Sequence, residues 1–338
     1  MILRPKPSRP RGTLPGAGAA SPVAAVPMWL RRAVLDAQSL AGKDVEDVAL
    51  TAGAAICALD AVVRRQERGA GAWRQRLALV AAAVTAKQAG RVEDEAALRD
   101  AVLLTRPGDN VGPAGHLLLA WRRLASRPAE ELLTEPSIAR GLEDLGHAQD
   151  DEAVSDLANE LRQLAASGRA VGLITGAIAI AERRGLGRAL GAWLADALLA
   201  QRLGWTHAIP LLGGEAALAV GTGRARRPVT AALAAGAEME SDGAKGLLAA
   251  QARAALRAVD LSADLERRAD RLLAVAPKLR AKAANMVVER VLFDDAVVAS
   301  AKIAGMSDRG LRRLFDRLVE FGAVRELSGR PTFRIYGL

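Results

Sequence analysis

The chain has 338 residues, 51% hydrophobic and 25% charged but only 3% aromatic, which excludes a disordered protein and provides an aliphatic core. Its single cysteine, Cys57, excludes an internal disulfide framework and suits a reducing cytoplasm, and no uncharged apolar run reaches the roughly 18 residues that cross a bilayer. The net charge of +9 is concentrated at the ends, because residues 1–32 carry six basic residues and no acid and residues 302–338 carry eight basic against four acidic. Only those ends can attract a polyanion. Arginine supplies 40 of the 47 basic residues in an alanine-rich chain, so coding bias also contributes to the excess.

Residues 1–27 hold six prolines among Gly, Ala and Arg, a composition that sustains neither helix nor strand and reads as a flexible basic tail. From Trp29 onward apolar residues recur at spacings of three and four, and the Ala, Leu and Arg content favours helix. Helices are expected over about 29–41, 45–68, 72–89, 93–104, 114–126, 138–146, 150–166, 170–183 and 188–203. Further helices are expected over about 228–240, 244–258, 263–275, 278–292 and 295–303. Turn chemistry at Arg106-Pro-Gly-Asp-Asn110, Ser126-Arg-Pro128, Glu135-Pro-Ser137 and Gly213-Gly214 separates them. Short connections favour antiparallel neighbours, and no fixed repeat of 30 to 45 residues is present. A mainly α body of irregular stacked helical hairpins over 28–292 follows.

After residue 292 the period changes. Ser307 can cap a helix with Leu311, Leu314, Phe315, Leu318 and Val319 on one face, and Gly322 supplies a left-handed stop. Val324–Leu327 and Thr332–Tyr336 are two strands of a hairpin turned at Ser328-Gly-Arg-Pro331. With 295–303 as a preceding helix, the order helix, turn, helix, hairpin over 293–338 is that of a winged helix. In such a unit the second helix enters the major groove and the hairpin lies over phosphates. Arg309, Arg313 and Arg317 form one row at a spacing of four, and Arg330 and Arg334 lie on the hairpin. Arginine suits guanine and phosphate because it donates two parallel hydrogen bonds. Arg312, Asp316 and Glu320 form the neighbouring row, so Arg312 is expected to pair along the helix while the two acids oppose DNA.

The segment Gly322-Ala-Val-Arg-Glu-Leu-Ser-Gly-Arg330 resembles the winged helix that closes many Fic-type proteins. The Fic loop itself, His-Pro-Phe with an acid and a Gly-Asn-Gly-Arg cradle, is absent, so no nucleotidyl transfer is implied. A longer resemblance is carried by Arg99-Asp-Ala-Val-Leu-Leu-Thr-Arg-Pro-Gly-Asp109, Gly112-Pro-Ala-Gly115, Trp193-Leu-Ala-Asp-Ala-Leu-Leu-Ala200, Ala276-Pro-Lys-Leu-Arg-Ala-Lys282 and the whole C-terminal segment. These resemble the bacterial family catalogued as domain of unknown function 1403, often encoded on plasmids. That resemblance implies a fold and no established activity.

Little in the middle of the chain carries chemistry. His116, His147 and His207 are far apart and lack metal-ligand spacing, so no metal and no cofactor are expected. Cys57, on the apolar stripe of an Ala-rich helix, reads as a small buried hydrophobe. Gly185-Leu-Gly187-Arg-Ala-Leu-Gly191 follows a helix where a phosphate loop needs a strand, and Gly221-Thr-Gly223 lacks a following Lys-Ser or Lys-Thr. Asp109 and Asn110 on the turn, with Trp205 and His207 beyond a long apolar helix, form a candidate pocket, set against plain turn-forming and helix-plugging roles. Lys278, Arg280 and Lys282 read as solvated helix residues or an extension of the basic surface.

The leading expectation is a cytoplasmic, non-enzymatic protein that contacts duplex DNA through Arg309, Arg312, Arg313, Arg317, Arg330 and Arg334. The second is a helical scaffold whose winged helix docks a protein partner or a second copy of the chain. Neither implies a membrane.

Overall fold

A computed structural model describes residues 26–35, 40, 42–65, 67–168, 170–215, 232–279, 281 and 283–338. Residues 1–25 of the basic tail, the start of the helix expected from 228, the Gly221-Thr-Gly223 segment, Arg280 and Lys282 lie outside these residues, whereas Val26, expected in the tail, is described and buried. Twelve α-helices are present among the described residues. They are α1 (Met28–Leu35), α2 (Val45–Arg65), α3 (Ala70–Gln88), α4 (Glu95–Leu103), α5 (Gly112–Ser126) and α6 (Glu135–Asp144). Next come α7 (Asp151–Ala166), α8 (Ala170–Arg183), α9 (Gly187–Leu203), α10 (Ala232–Val275), α11 (Ala284–Phe293) and α12 (Asp308–Glu320). The chain is thus mainly helical, and its strands lie at the C-terminus: β1 (Val297–Val298), β2 (Arg325–Glu326) and β3 (Ile335–Gly337). No described helix is long and apolar enough to cross a membrane.

Helix α9 is the centre of the body, with Leu190 through Ala200 buried without interruption. A helix apolar on every side is stable only when surrounded, and α5 and α8 are among its neighbours. Four tryptophans fix the layers, each with its indole nitrogen satisfied as burial requires. Trp73 donates to the Ala258 carbonyl at 2.9 Å, Trp121 to the Thr85 hydroxyl at 2.9 Å, Trp193 to the Ala120 carbonyl at 3.0 Å and Trp205 to Asp60 at 2.8 Å. Trp205 is therefore an interhelical plug. Gly213 is required where it stands, because a Cβ there would run into the Trp121 ring.

Three expectations are corrected. The region read as separate helices over 228–240, 244–258 and 263–275 is continuous helix from Ala232. A Cβ at Gly243 or Gly246 would meet nothing within 4 Å, so neither glycine marks a close approach. Each costs roughly 1 kcal/mol of helix propensity, a loss outweighed by packing of α10 along α2. Ser262, in the gap between the second and third of these expected helices, donates its hydroxyl to Glu266 one turn on and leaves the helix intact. Cys57 is exposed, not buried, because the buried stripe of α2 runs through Val48, Ala52, Ala55 and Leu59 on the other side.

The third correction concerns 295–303, which is not a helix. Val297 and Val298 pair antiparallel with Tyr336 and Ile335, and the Ala299 amide donates to the Arg334 carbonyl at 2.8 Å. A short apolar run has no period that separates helix from strand. The expected two-stranded hairpin is accordingly a three-stranded antiparallel sheet in the order β1-β3-β2. The preceding helix of this unit is α11, and only turns lie between β1 and α12.

This C-terminal unit is seated on the body. A Cβ on Gly71 at the start of α3 would lie 2.7 Å from the Phe293 carbonyl oxygen, so only glycine lets α3 approach α11 that closely. Asp295, with a fully buried side chain, receives Arg76 of α3 and, at 2.6 Å, Arg99 of α4. Burial alone would raise its carboxyl, but Arg76 and then Arg99 hold it below the ordinary carboxylate range. Arg268 of α10 donates to the carbonyl of Leu338 at 3.1 Å, tying down the chain end.

Candidate nucleic-acid interface

Helix α12 begins at Ser307, whose hydroxyl accepts the Gly310 amide at 3.2 Å, and it stops at Gly322 with φ +64°. Leu311, Leu314, Phe315 and Leu318 are buried, and Phe315 stacks on Tyr336 of β3 with ring centroids 4.4 Å apart. That stack fixes the rotation of α12 about its axis. Its opposite side, carrying Arg309, Arg312, Arg313 and Arg317, is exposed and does not pack on the body. None of these four makes an ion pair among the described residues, although Arg317 lies over the Phe321 ring at 5.4 Å.

The neighbouring row differs from expectation. Arg312 does not pair with Asp316, which instead faces Arg334 of the hairpin at 3.8 Å. Asp316 and Glu320 remain exposed near the C-terminal end of α12, so the positive character is greatest over its first two turns.

The connection between β2 and β3 is a shaped loop. Glu326 accepts the amides of Ser328 and Gly329 at 3.1 and 3.0 Å and the Ser328 hydroxyl; chiefly through that hydroxyl, its carboxyl is held below the usual range. Arg330, expected on the open surface, is instead held by Asp100 of α4 through two hydrogen bonds of 2.5 and 2.7 Å. The same guanidinium donates to the Phe333 carbonyl at 3.1 and 3.2 Å. Phe333 stands 68% exposed with φ +52°, the only positive φ of a non-glycine among the described residues. A bulky residue persists there because its surroundings impose it. The brace joins residues 230 positions apart, and nothing in the sequence signals it.

The second candidate group, Asp109, Asn110, Trp205 and His207, is not assembled into one pocket. Asp109 and Asn110 are exposed on their turn, and Asn110 accepts the Gly112 amide at 2.7 Å, the ordinary work of an Asx turn. Trp205 is occupied with Asp60, while His207 lines a cavity that the other three do not reach. Lys278 is exposed. Among the described residues no group of three or more His, Cys, Asp or Glu is placed to hold a metal ion.

Residues 18–338 match the family model described as "Protein of unknown function (DUF1403)". No curated protein matches the chain.

Proposed function

The chain belongs to the DUF1403 family, and on that premise we propose that its C-terminal unit is a winged helix that binds duplex DNA, with α12 entering the major groove. The observation that carries this reading is the group Arg309, Arg312, Arg313 and Arg317, exposed and, among the described residues, without acid partners on the side of α12 turned away from its own sheet. An arginine left unpaired on a rigid helix keeps all its donors for phosphate or guanine. The order α11, β1, α12, β2, loop, β3 with sheet order β1-β3-β2 supports the same reading, since a strand ahead of α12 pairs with the returning strand of the hairpin and joins the helix and the hairpin in one unit. The helical body then serves a partner, a second copy or an effector, without chemistry of its own.

A protein-docking role is the second reading, favoured by the exposed Val319 and Phe321 beside Asp316 and Glu320. Fluorescence anisotropy of the intact protein with mixed-sequence duplex across a salt series separates the two. DNA binding predicts a steep loss of affinity with salt, and changing Arg313 and Arg317 together to Ala lowers the log–log slope by about 2, at roughly 0.9 per lost phosphate contact. Arg330→Ala leaves the slope unchanged, because that guanidinium is already held by Asp100. No binding at low salt overturns the proposal in favour of the docking reading.

A further inference from the structure

Between the end of α2, the start of α3, residues 206–209 and the middle of α10 lies a cavity of about 190 Å³. Its apolar wall includes Val62, Val63, Ile209 and Leu265, and its polar wall includes Arg74 and His207. The volume falls below the roughly 300 Å³ at which drug-sized sites begin, so any occupant is small.

Arg74 is the unusual group. Its Nε donates to the Ala125 carbonyl at 2.9 Å, which anchors the guanidinium against the end of α5. Its two terminal nitrogens make no hydrogen bond and no ion pair with any described residue. They are not among the sealed, unsatisfied side-chain atoms, which include the Nε of Arg65, Arg91, Arg122, Arg123 and Arg268. Burial lowers the pKa of Arg74, the signature of a cation that lacks a counter-charge. His207 beside it is pushed towards its neutral form, first by burial and then by Arg74 itself. Among the described residues, Arg74 is therefore the single unspent positive charge on this wall.

The charge on the other walls selects the ligand class. Glu67 and Glu266 also line the cavity, and both are engaged by Arg65, at 3.6 and 3.1 Å, with Ser262 donating to Glu266 at 2.9 Å. A doubly charged anion would meet one free cation and two carboxylates. A single carboxylate matches the two open donors of the Arg74 fork, and an apolar tail matches Val62, Val63, Ile209 and Leu265.

We propose that this cavity is a binding site for a small monocarboxylate with a short apolar tail, held by the terminal nitrogens of Arg74. The site is independent of whether the C-terminal unit binds DNA. It shares α3 with Arg76, two residues from Arg74 and bonded to Asp295, so an occupant sits on the helix that seats the C-terminal unit.

The test uses the full-length wild-type chain. Phenylglyoxal labelling of Arg74 is followed by peptide mass spectrometry in butyrate, succinate, phosphate or chloride at matched ionic strength. Butyrate at ~50 mM slows Arg74 labelling at least about threefold relative to chloride, as occupancy of the fork requires, while Arg309 and Arg313 label at unchanged rates. Succinate and phosphate protect less than butyrate. Equal labelling in butyrate and chloride overturns the proposal. Protection by phosphate alone overturns the ligand class, and no labelling in any buffer overturns the premise of an open fork. As a second reading, butyrate raises the Tm of the wild type and of Arg312→Ala above the chloride value but not that of Arg74→Gln. An equal rise in Arg74→Gln overturns the site.

Discussion

Asp295→Ala lowers the unfolding free energy by about 3–5 kcal/mol, the cost of stranding buried charge when one partner of a buried pair is removed. The side chain of Asp295 is fully buried, and those of Arg76 and Arg99 are only 15% and 10% exposed, so water does not replace the lost carboxylate. Arg122, with its Nε sealed and unsatisfied, feels the same carboxylate as well as that of Asp294 and the charge of Arg99, so the variant removes an acid shared by three guanidinium groups. The effect is local in origin. The β1–β3 ladder follows Asp295 directly and α11 precedes it, so hydrogen exchange in 284–338 rises before that of α9. Two further measurements bear on the mechanism. A double-mutant cycle with Arg99→Ala gives a coupling above about 1 kcal/mol, as for groups in one buried network. Because the folded pKa of Asp295 is depressed, its contribution is complete above the ordinary carboxylate range and is lost as pH falls through the folded value. A change below about 1 kcal/mol at neutral pH would show that the cluster contributes nothing to seating the C-terminal unit.

The same cluster marks the boundary of what the sequence discloses. Helices α3 to α9 are legible because their signals are local: Pro at the start of α5 and α6, Asp94 and Asp150 as caps, and apolar spacing of three and four. Helix α12 is equally legible, since Ser307, the apolar face and Gly322 all fall within sixteen residues. The strand at Val297 is not, because its identity depends on a partner strand nearly forty residues later. Arg330 illustrates the same limit for the candidate interface. Read as one more basic residue on a hairpin, it belongs with Arg334; only Asp100, far away in sequence, removes it from the open surface. Arg74, between Trp73 and Gln75, gives no local sign that its fork is unpartnered. The exposed row on α12 was readable in advance because helical geometry alone decides which side chains oppose the apolar face.

Asp196 provides a pH test of the body itself. It is completely buried on α9 and accepts the amides of Leu211 at 2.8 Å and Leu212 at 3.1 and 3.2 Å, holding the segment that carries His207 and Gly213 against the core. Burial pushes its carboxyl up to about 7 despite the opposing amides of Leu211, Leu212 and Gly213. The folded state therefore keeps a proton between the unfolded value near 4 and about 7 that the unfolded chain has released. Stability from this group is complete at low pH and declines as pH rises through that window, the reverse of Asp295. Each unit of separation corresponds to about 1.4 kcal/mol, so the wild type loses about 3 kcal/mol relative to Asp196→Asn between pH 5 and pH 8. Urea unfolding of both proteins at the two pH values measures it, and titrations common to both cancel in the difference. A gap that does not change with pH would mean that the backbone amides win over burial and keep Asp196 ionised throughout, as they do for carboxylates at strong amide clusters.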